Sequence, residues 1–288
     1  MAEKLNHILI VANWQKSHVK ETASEITEYL DKINIQSTLL KTNSDSSDID
    51  FNGDVDLVIS LGGDGTVLYC VRHLQDLGVP ILPVNMGTFG YITEVSVDEW
   101  KKTLNSYIEG GKDHLIHKRS TIKASIIRAG NIVFSATALN EVVVTSNGLS
   151  KVITIDMSVD NTFLGSFRAD GMIIATPTGS TGYSLAAGGP IVDSDLSALV
   201  CTPVCPFTLS NRPLVVSSER RISLRILENQ RTEVMVNFDG QVNTEVYEND
   251  IVEVRKSRTK AILLVTNDRT NFDILRDKLN WSGGRGNA

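Results

Sequence analysis

The spacing of apolar residues changes character at about residue 112, and that change restricts the chain to two differently built parts. Before it, helical faces alternate with short apolar runs. HVKETASEITEYLDKI carries Val19, Ala23, Ile26, Leu30 and Ile33 on one face, and TVLYCVRHLQDLG carries Val67, Leu68, Val71 and Leu74. Both sets recur at helical spacing. Around them lie HILIVAN, IQSTLL, DLVISL and VPILPVNM. Each is short, apolar and bounded by turn residues, as a buried strand is. Strands and helices in this order predict a parallel sheet wrapped by helices, with VDEWKKTLNSYIEGG as one more helix closed by glycines.

After residue 112 the period shortens to two. STIKASIIRAG, NIVFSATALNEVVVT, KVITIDMSVD, DGMIIAT, RISLRIL, TEVMVNF and DIVEVRKS predict a β-rich, sandwich-like second part. Residues 179–213 read as small residues, turns and one helix. KAILLVTN and FDILRDKLNW close the chain as a strand and a short helix expected to pack back on the first part. The predicted domains are therefore 1–112 with 260–288, and 113–259. TNSDSSDIDFNGDVD, between the second and third strands, reads as a polar surface loop or a flap.

Two glycine turns, LGGDGT and NMGTFGYI, follow predicted strands of the first part. Ligands of open α/β sheets bind outside the carboxyl ends of the strands, which is where both turns fall. Gly62, Gly63 and Gly65 let a phosphate approach the backbone closely. The turn is neither a phosphate loop, since no lysine follows it, nor a GxGxxG fingerprint. Asp64 stands in it instead. A carboxylate beside phosphates repels them unless it accepts a proton from an attacking hydroxyl or brings in magnesium. The plainer alternative is an Asx turn or helix cap.

The net charge of −6 and a pI near 5.4 argue against a nucleic-acid partner. No apolar run reaches membrane-spanning length, and MAEKLNHILIVAN reads as a first strand and not as a signal peptide. Cys70, Cys201 and Cys205 make neither a disulfide framework nor a zinc set, which suits a reducing cytoplasm. The five histidines fall outside every motif, and Trp14 reads as surface packing.

GGDGT resembles the phosphoryl-transfer turn shared by NAD kinases, lipid kinases of the diacylglycerol type and, more remotely, phosphofructokinases. NMGTFGYI, LNEVVV, DGMIIATPTGSTGYSLAAGGPIV, CPFTLSNRPLVV and FDGQ resemble, in order, the later segments of NAD kinases. The resemblance covers residues 5 to 280 or so. It implies an α/β domain plus a β-sandwich-like domain, and a homodimer or homotetramer. The implied reaction phosphorylates the 2'-hydroxyl of the adenosine ribose of NAD to give NADP. ATP or another phosphoryl donor supplies the phosphate, and magnesium rides on the nucleotide without a protein metal site.

Carried over by motif, Asp64 faces the ribose hydroxyl, and Gly62, Gly63, Gly65 and Thr66 frame the donor phosphates. Gly87 and Phe89 line the NAD pocket. Asn140 takes the adenine side and Glu141 the ribose hydroxyls, while Thr181, Gly182 and Tyr183 contact the dinucleotide. Asp170 serves its other end or a neighbouring chain's ligand. Arg168 is a candidate phosphate ligand, and Asp239 either orients ligand or forms a turn. Members commonly have Ala where Gly182 stands, Ser at Ala186 and His at Phe207; these departures bear on selectivity. A lipid kinase would keep GGDGT without the Asn-Glu pair and TPTGSTGY. A silent NAD-binding regulator would have no use for Asp64.

Overall fold

The computed structural model describes residues 5–42, 51, 53–74, 77–87, 90–110, 115–148, 151–208, 210–266 and 269–280. The chain divides into two units, Met1–Lys118 with Ala261–Ala288, and Arg119–Lys260.

In the first unit, β1 (His7–Asn13), α1 (Val19–Lys32), β2 (Gln36–Thr42), β3 (Leu57–Gly62), α2 (Asp64–Leu74), β4 (Ile81–Asn85), β5 (Val95–Ser96) and α3 (Trp100–Ile108) follow in order. The strands pair in parallel as β2-β1-β3-β4, and β5 adds to β4. β1, β3 and β4 are buried along almost their whole length, the pattern of a sheet covered on both faces. The apolar face of α1 seats Val19, Ala23, Ile26 and Leu30 in this core, together with Trp100 and Leu104 of α3. Each large side chain so buried contributes about 1.5–3 kcal/mol.

The helix after the glycine turn starts at Asp64, three residues before the apolar face begins at Val67. The aspartate therefore belongs to the first turn of a helix. Phe89 and most of the polar loop at 42–56 lie outside the described residues.

The second unit contains β6 (Ile116–Arg128, which begins in the first unit), β7 (Asn131–Ala138), β8 (Glu141–Ser146), β9 (Ile153–Val159), β10 (Thr162–Ala169) and β11 (Gly171–Ala175). A single 3-10 turn (Thr178–Thr181) and α4 (Tyr183–Ala186) follow. Then come β12 (Ala198–Val204), β13 (Leu214–Ser217), β14 (Ile222–Ile226), β15 (Val234–Phe238), β16 (Val242–Val246) and β17 (Ile251–Leu264). One sheet runs β13-β12-β11-β8-β15-β16; the other has β10-β9-β14-β17, with β6 on β17 and β7 on β6. Ile122, Ile155, Leu224 and Val252 from one sheet share a core with Val142, Val144, Ile174, Val236 and Phe238 from the other. This is the sandwich that the alternation predicts.

β12 corrects the reading of residues 179–213 as turns and one helix. Pro203 argues against a strand there, yet it lies opposite Met172 of β11. β13 pairs with β12 only as far as Cys201, so among the described residues Pro203 has no second neighbour strand that would need its missing N–H.

The chain's last elements belong to the first unit. Leu263 of β17 pairs in parallel with Ile81, and Val265 N–H donates to the Leu115 carbonyl. The last helix, α5 (Asn271–Leu279), starts on a capping box between Thr270 and Asp273. The hydroxyl and N–H of Thr270 hold the Asp273 carboxyl down at about 2. No helix among the described residues is long and apolar enough to cross a membrane.

Candidate functional site

In the first unit, the end of β3 and the start of α2 hold Asp64 with its carboxylate turned onto the segment after β4. Oδ2 accepts the Tyr91 N–H at 2.8 Å. Oδ1 accepts the N–H groups of Ile92 (3.2 Å) and Thr93 (3.0 Å) and the Thr93 hydroxyl (2.9 Å). The ordinary cap reading is thus not what the side chain does: it binds a segment 27 to 29 residues away. Oδ1 is saturated. Oδ2 has one partner and keeps room for a hydroxyl proton.

Thr93 and Asn85, which carried no role in the sequence reading, complete this network. Asn85 Nδ2 donates to Thr93 Oγ1 at 3.0 Å, and its Oδ1 accepts the Gly87 N–H at 2.8 Å. Both residues are buried. The only signal in the sequence is their position at the two ends of the second glycine turn. Burial, and next to it the Asp64 charge, hold the Tyr91 phenol above its usual range.

Gly62 and Thr66 are packed together: a side chain at Gly62 would collide with Thr66 Oγ1. Thr66 is 5% exposed, so its hydroxyl faces the turn's own backbone. Gly63 is half-buried, while Gly65 and Gly87 are exposed. A cavity of about 320 Å³ lies beside this segment, lined by Gly90, Glu94, Arg269, Ile274, Asp277 and Lys278.

In the second unit, the connection from β7 to β8 carries Asn140 and Glu141. Asp239, in the left-handed turn after β15, clamps it. Its carboxylate accepts the N–H groups of Leu139 (2.8 Å), Asn140 (2.8 Å) and Glu141 (3.0 Å). Asp239 therefore fixes the backbone of the Asn-Glu pair.

The TPTGSTGY segment closes on the same place. Thr176 donates its N–H to the Asn140 carbonyl (2.8 Å) and its hydroxyl to the Leu139 carbonyl (2.6 Å). The Tyr183 N–H reaches Glu141. A methyl on Gly182 would stand 3.0 Å from Glu141 Oε2, so an alanine here would press on this carboxyl. Thr181 turns its hydroxyl onto the Thr178 carbonyl, and Tyr183 is exposed.

Two buried oxygens here have no partner among the described residues, Asn140 Oδ1 and Glu141 Oε2. A buried polar atom without a partner is costly, so the pair reads as built for a ligand. Burial above all, and then the Asp239 charge, push the Glu141 carboxyl up to about 8.

Arg168 and Asp170 are not brought to this cluster. β11 pairs with β8 so that Ala175 faces Glu141 while Gly171 faces Thr145. Asp170 therefore lies at the far end of a five-residue strand, roughly 13–17 Å away at 3.3 Å per residue. Arg168 stacks on Phe207, 5.0 Å from the ring centre. Among the described residues no group of three or more His, Cys, Asp or Glu side chains could hold a metal.

Residues 16–112 match the ATP-NAD kinase N-terminal domain family and residues 139–266 the ATP-NAD kinase C-terminal domain family. The chain is 39% identical to the NAD kinase of Treponema denticola, over 97% of this chain and 98% of the relative. It is 36% identical to that of Citrifermentans bemidjiense, over 90% and 88%. Among solved structures, yeast NADH kinase complexed with NADH superposes with a TM-score of 0.86 at 22% identity, over 99% of this chain and 90% of that one. An Archaeoglobus fulgidus NAD kinase in complex with ATP gives 0.74 at 27% identity, over 95% and 98%. Identity at this level over nearly the full length of both chains, with both domains matched, shows that this chain belongs to the ATP-NAD kinase family and phosphorylates NAD.

Proposed function

We propose that Asp64 is the carboxylate that receives the acceptor hydroxyl, with Asn140 and Glu141 holding the adenosine that carries it. The acceptor oxygen forms a bond to the γ-phosphorus of ATP. The bond from that phosphorus to the β–γ bridging oxygen breaks, and its electron pair leaves with ADP. The hydroxyl proton passes to Asp64 Oδ2 late in the step. Positioning supplies most of the effect, because Asp64 is held by four hydrogen bonds before any substrate arrives.

The observation that carries this reading is the two buried oxygens without partners among the described residues, Asn140 Oδ1 and Glu141 Oε2, on consecutive residues of one clamped turn. An amide oxygen suits an amino group on a base edge, and a carboxylate suits two ribose hydroxyls. Gly62, Gly63 and Gly65 face the donor phosphates, and Gly87, Thr181, Gly182 and Tyr183 face the dinucleotide. Thr66 shapes the turn from beneath. Asp170 and Arg168, remote from the Asn-Glu pair within their unit, serve another part of the ligand or a neighbouring copy.

Asp64 Oδ1 is already saturated, and among the described residues no second acidic side chain joins it in a metal-binding group, which favours magnesium carried by the nucleotide. The ion belongs on the donor phosphates. Phe163, Leu164, Leu214, Val215 and Phe207 are exposed on the second unit, which favours a homo-oligomer formed through that unit. Three free cysteines favour a reducing cytoplasm. The test of the reaction is a coupled assay of purified protein with NAD, ATP and magnesium, scored for NADP. Its absence with every phosphoryl donor tried would overturn the reading.

A further inference from the structure

The glycine turn carries no lysine of its own, yet phosphoryl transfer puts several negative charges beside it. The first unit answers this from elsewhere in its chain. β1, β3 and β4 end level, with Ala12 opposite Leu61 and Gly62 opposite Asn85. Just beyond the first of these ends the chain turns, the Lys16 N–H donating to the Asn13 carbonyl at 3.1 Å. That turn sends the Lys16 side chain across the two neighbouring strand ends. Its Nζ stands 2.9 Å from the point where Gly63 would carry a Cβ and 3.8 Å from the corresponding point at Gly87. The ammonium thus lies over both glycine turns at once.

Lys16 is half-buried, and no hydrogen bond, ion pair or ring contact engages its ammonium within the described residues. The neighbouring lysines behave differently. Lys41 and Lys20 lie over the Trp14 ring, at 4.5 and 5.7 Å from its centre. An ammonium with no counter-charge among the described residues, set beside bare glycine backbone, can take an anion as its partner. At this position the anion has to be small enough to sit on bare glycine backbone, as a phosphate is.

We infer that Lys16 supplies the cation the glycine turn lacks and binds the terminal phosphates of the nucleoside triphosphate donor. The inference rests on the reading that Gly62, Gly63 and Gly65 frame those phosphates. It adds a residue 48 positions before Asp64 and outside every motif. Lysine suits the task as a compact point charge that follows the phosphoryl group as charge builds on it.

The test uses the full-length protein and the variants Lys16→Met, Lys16→Arg and Lys20→Met. ATP is varied at fixed NAD, and NAD at fixed ATP. Direct binding of ATP is measured without turnover. For Lys16→Met the expected result is a kcat/KM for ATP lower by about 100-fold or more, with KM for NAD changed less than about threefold. Lys16→Arg recovers part of the loss, ATP binding weakens in step, and Lys20→Met stays close to wild type. The inference fails if Lys16→Met keeps its kcat/KM for ATP, or if KM for NAD rises in parallel. An equal loss in Lys20→Met would also overturn it, because a diffuse basic surface would then be the cause. A wild-type protein that makes no NADP would instead remove the parent reading, and ATP binding to the Lys16 variants would still decide the role of this lysine. Circular dichroism and melting temperature establish that each variant is folded.

Discussion

Gly90 and Asp64 are packed so closely that a side chain at Gly90 would occupy the position of Asp64 Oδ1. The two lie on different elements, and the contact exists because the Asp64 carboxylate gathers the N–H groups of residues 91–93. Gly90→Ala must push the carboxylate off that turn. The expected outcome is a fall in kcat of about 100-fold and a loss of about 1–3 kcal/mol in stability. NAD binding measured by calorimetry stays within a few-fold.

Asp64→Asn separates chemistry from support. An amide leaves an NH2 group facing one of the donors now satisfied by a carboxylate oxygen, so melting should fall by the equivalent of about 1–3 kcal/mol. Turnover falls further, by about 100- to 10,000-fold, while NAD binding is mostly kept. Turnover that survived the substitution would make Asp64 a purely structural clamp.

Thr93→Val tests the buried network without touching the carboxylate. It keeps the shape and removes the hydroxyl that donates to Asp64 and accepts from Asn85. A loss of about 1–3 kcal/mol in denaturant unfolding is expected, with kcat reduced and KM for NAD little changed. Thr93→Ser should recover most of both.

Glu141 makes NAD binding depend on pH. Its carboxyl is raised to about 8, first by burial and then by the charge of Asp239. The folded protein therefore holds a proton that the unfolded chain releases near its ordinary value. This contribution to stability is full below the ordinary value and is lost as pH rises through 8. Ribose hydroxyls donate to the ionised form, so binding expels the proton. NAD affinity should rise from about pH 6 towards pH 8. Calorimetry in buffers of different ionisation enthalpy should show proton release at neutral pH. Glu141→Gln should abolish both effects along with tight binding.

Asp239→Ala removes the acceptor from three N–H groups at once. The cost should exceed about 3 kcal/mol, read by urea unfolding. Asp239→Asn, which keeps one acceptor oxygen, should fold better and still bind NAD more weakly than wild type.

Much of this protein was legible in residue order alone. Helical spacing before residue 112 and alternation after it separate an α/β part from a β-rich part, because burial on one face repeats every 3.6 residues in a helix and every two in a strand. GGDGT at a strand end, with LNEVVV and TPTGSTGY later, resembles segments of NAD kinases, and that resemblance implies phosphoryl transfer to a dinucleotide. β12 was hidden because its proline argues locally against a strand, and only its pairing partners show that the missing N–H is not needed.

What only the tertiary structure decided is which atoms meet. Asp64 is aimed by amides 27 to 29 residues away, and the Asn-Glu turn is clamped by a carboxylate 98 to 100 residues away. The Lys16 ammonium is delivered to Gly63 and Gly87 by strands that end level. Arg168 and Asp170 are set apart from Glu141 by the length of β11. The physical reason is common to all of these. Periodicity records which side of an element is buried, but backbone N–H groups are the same in every residue. Which carboxylate they meet is set by how the chain closes on itself.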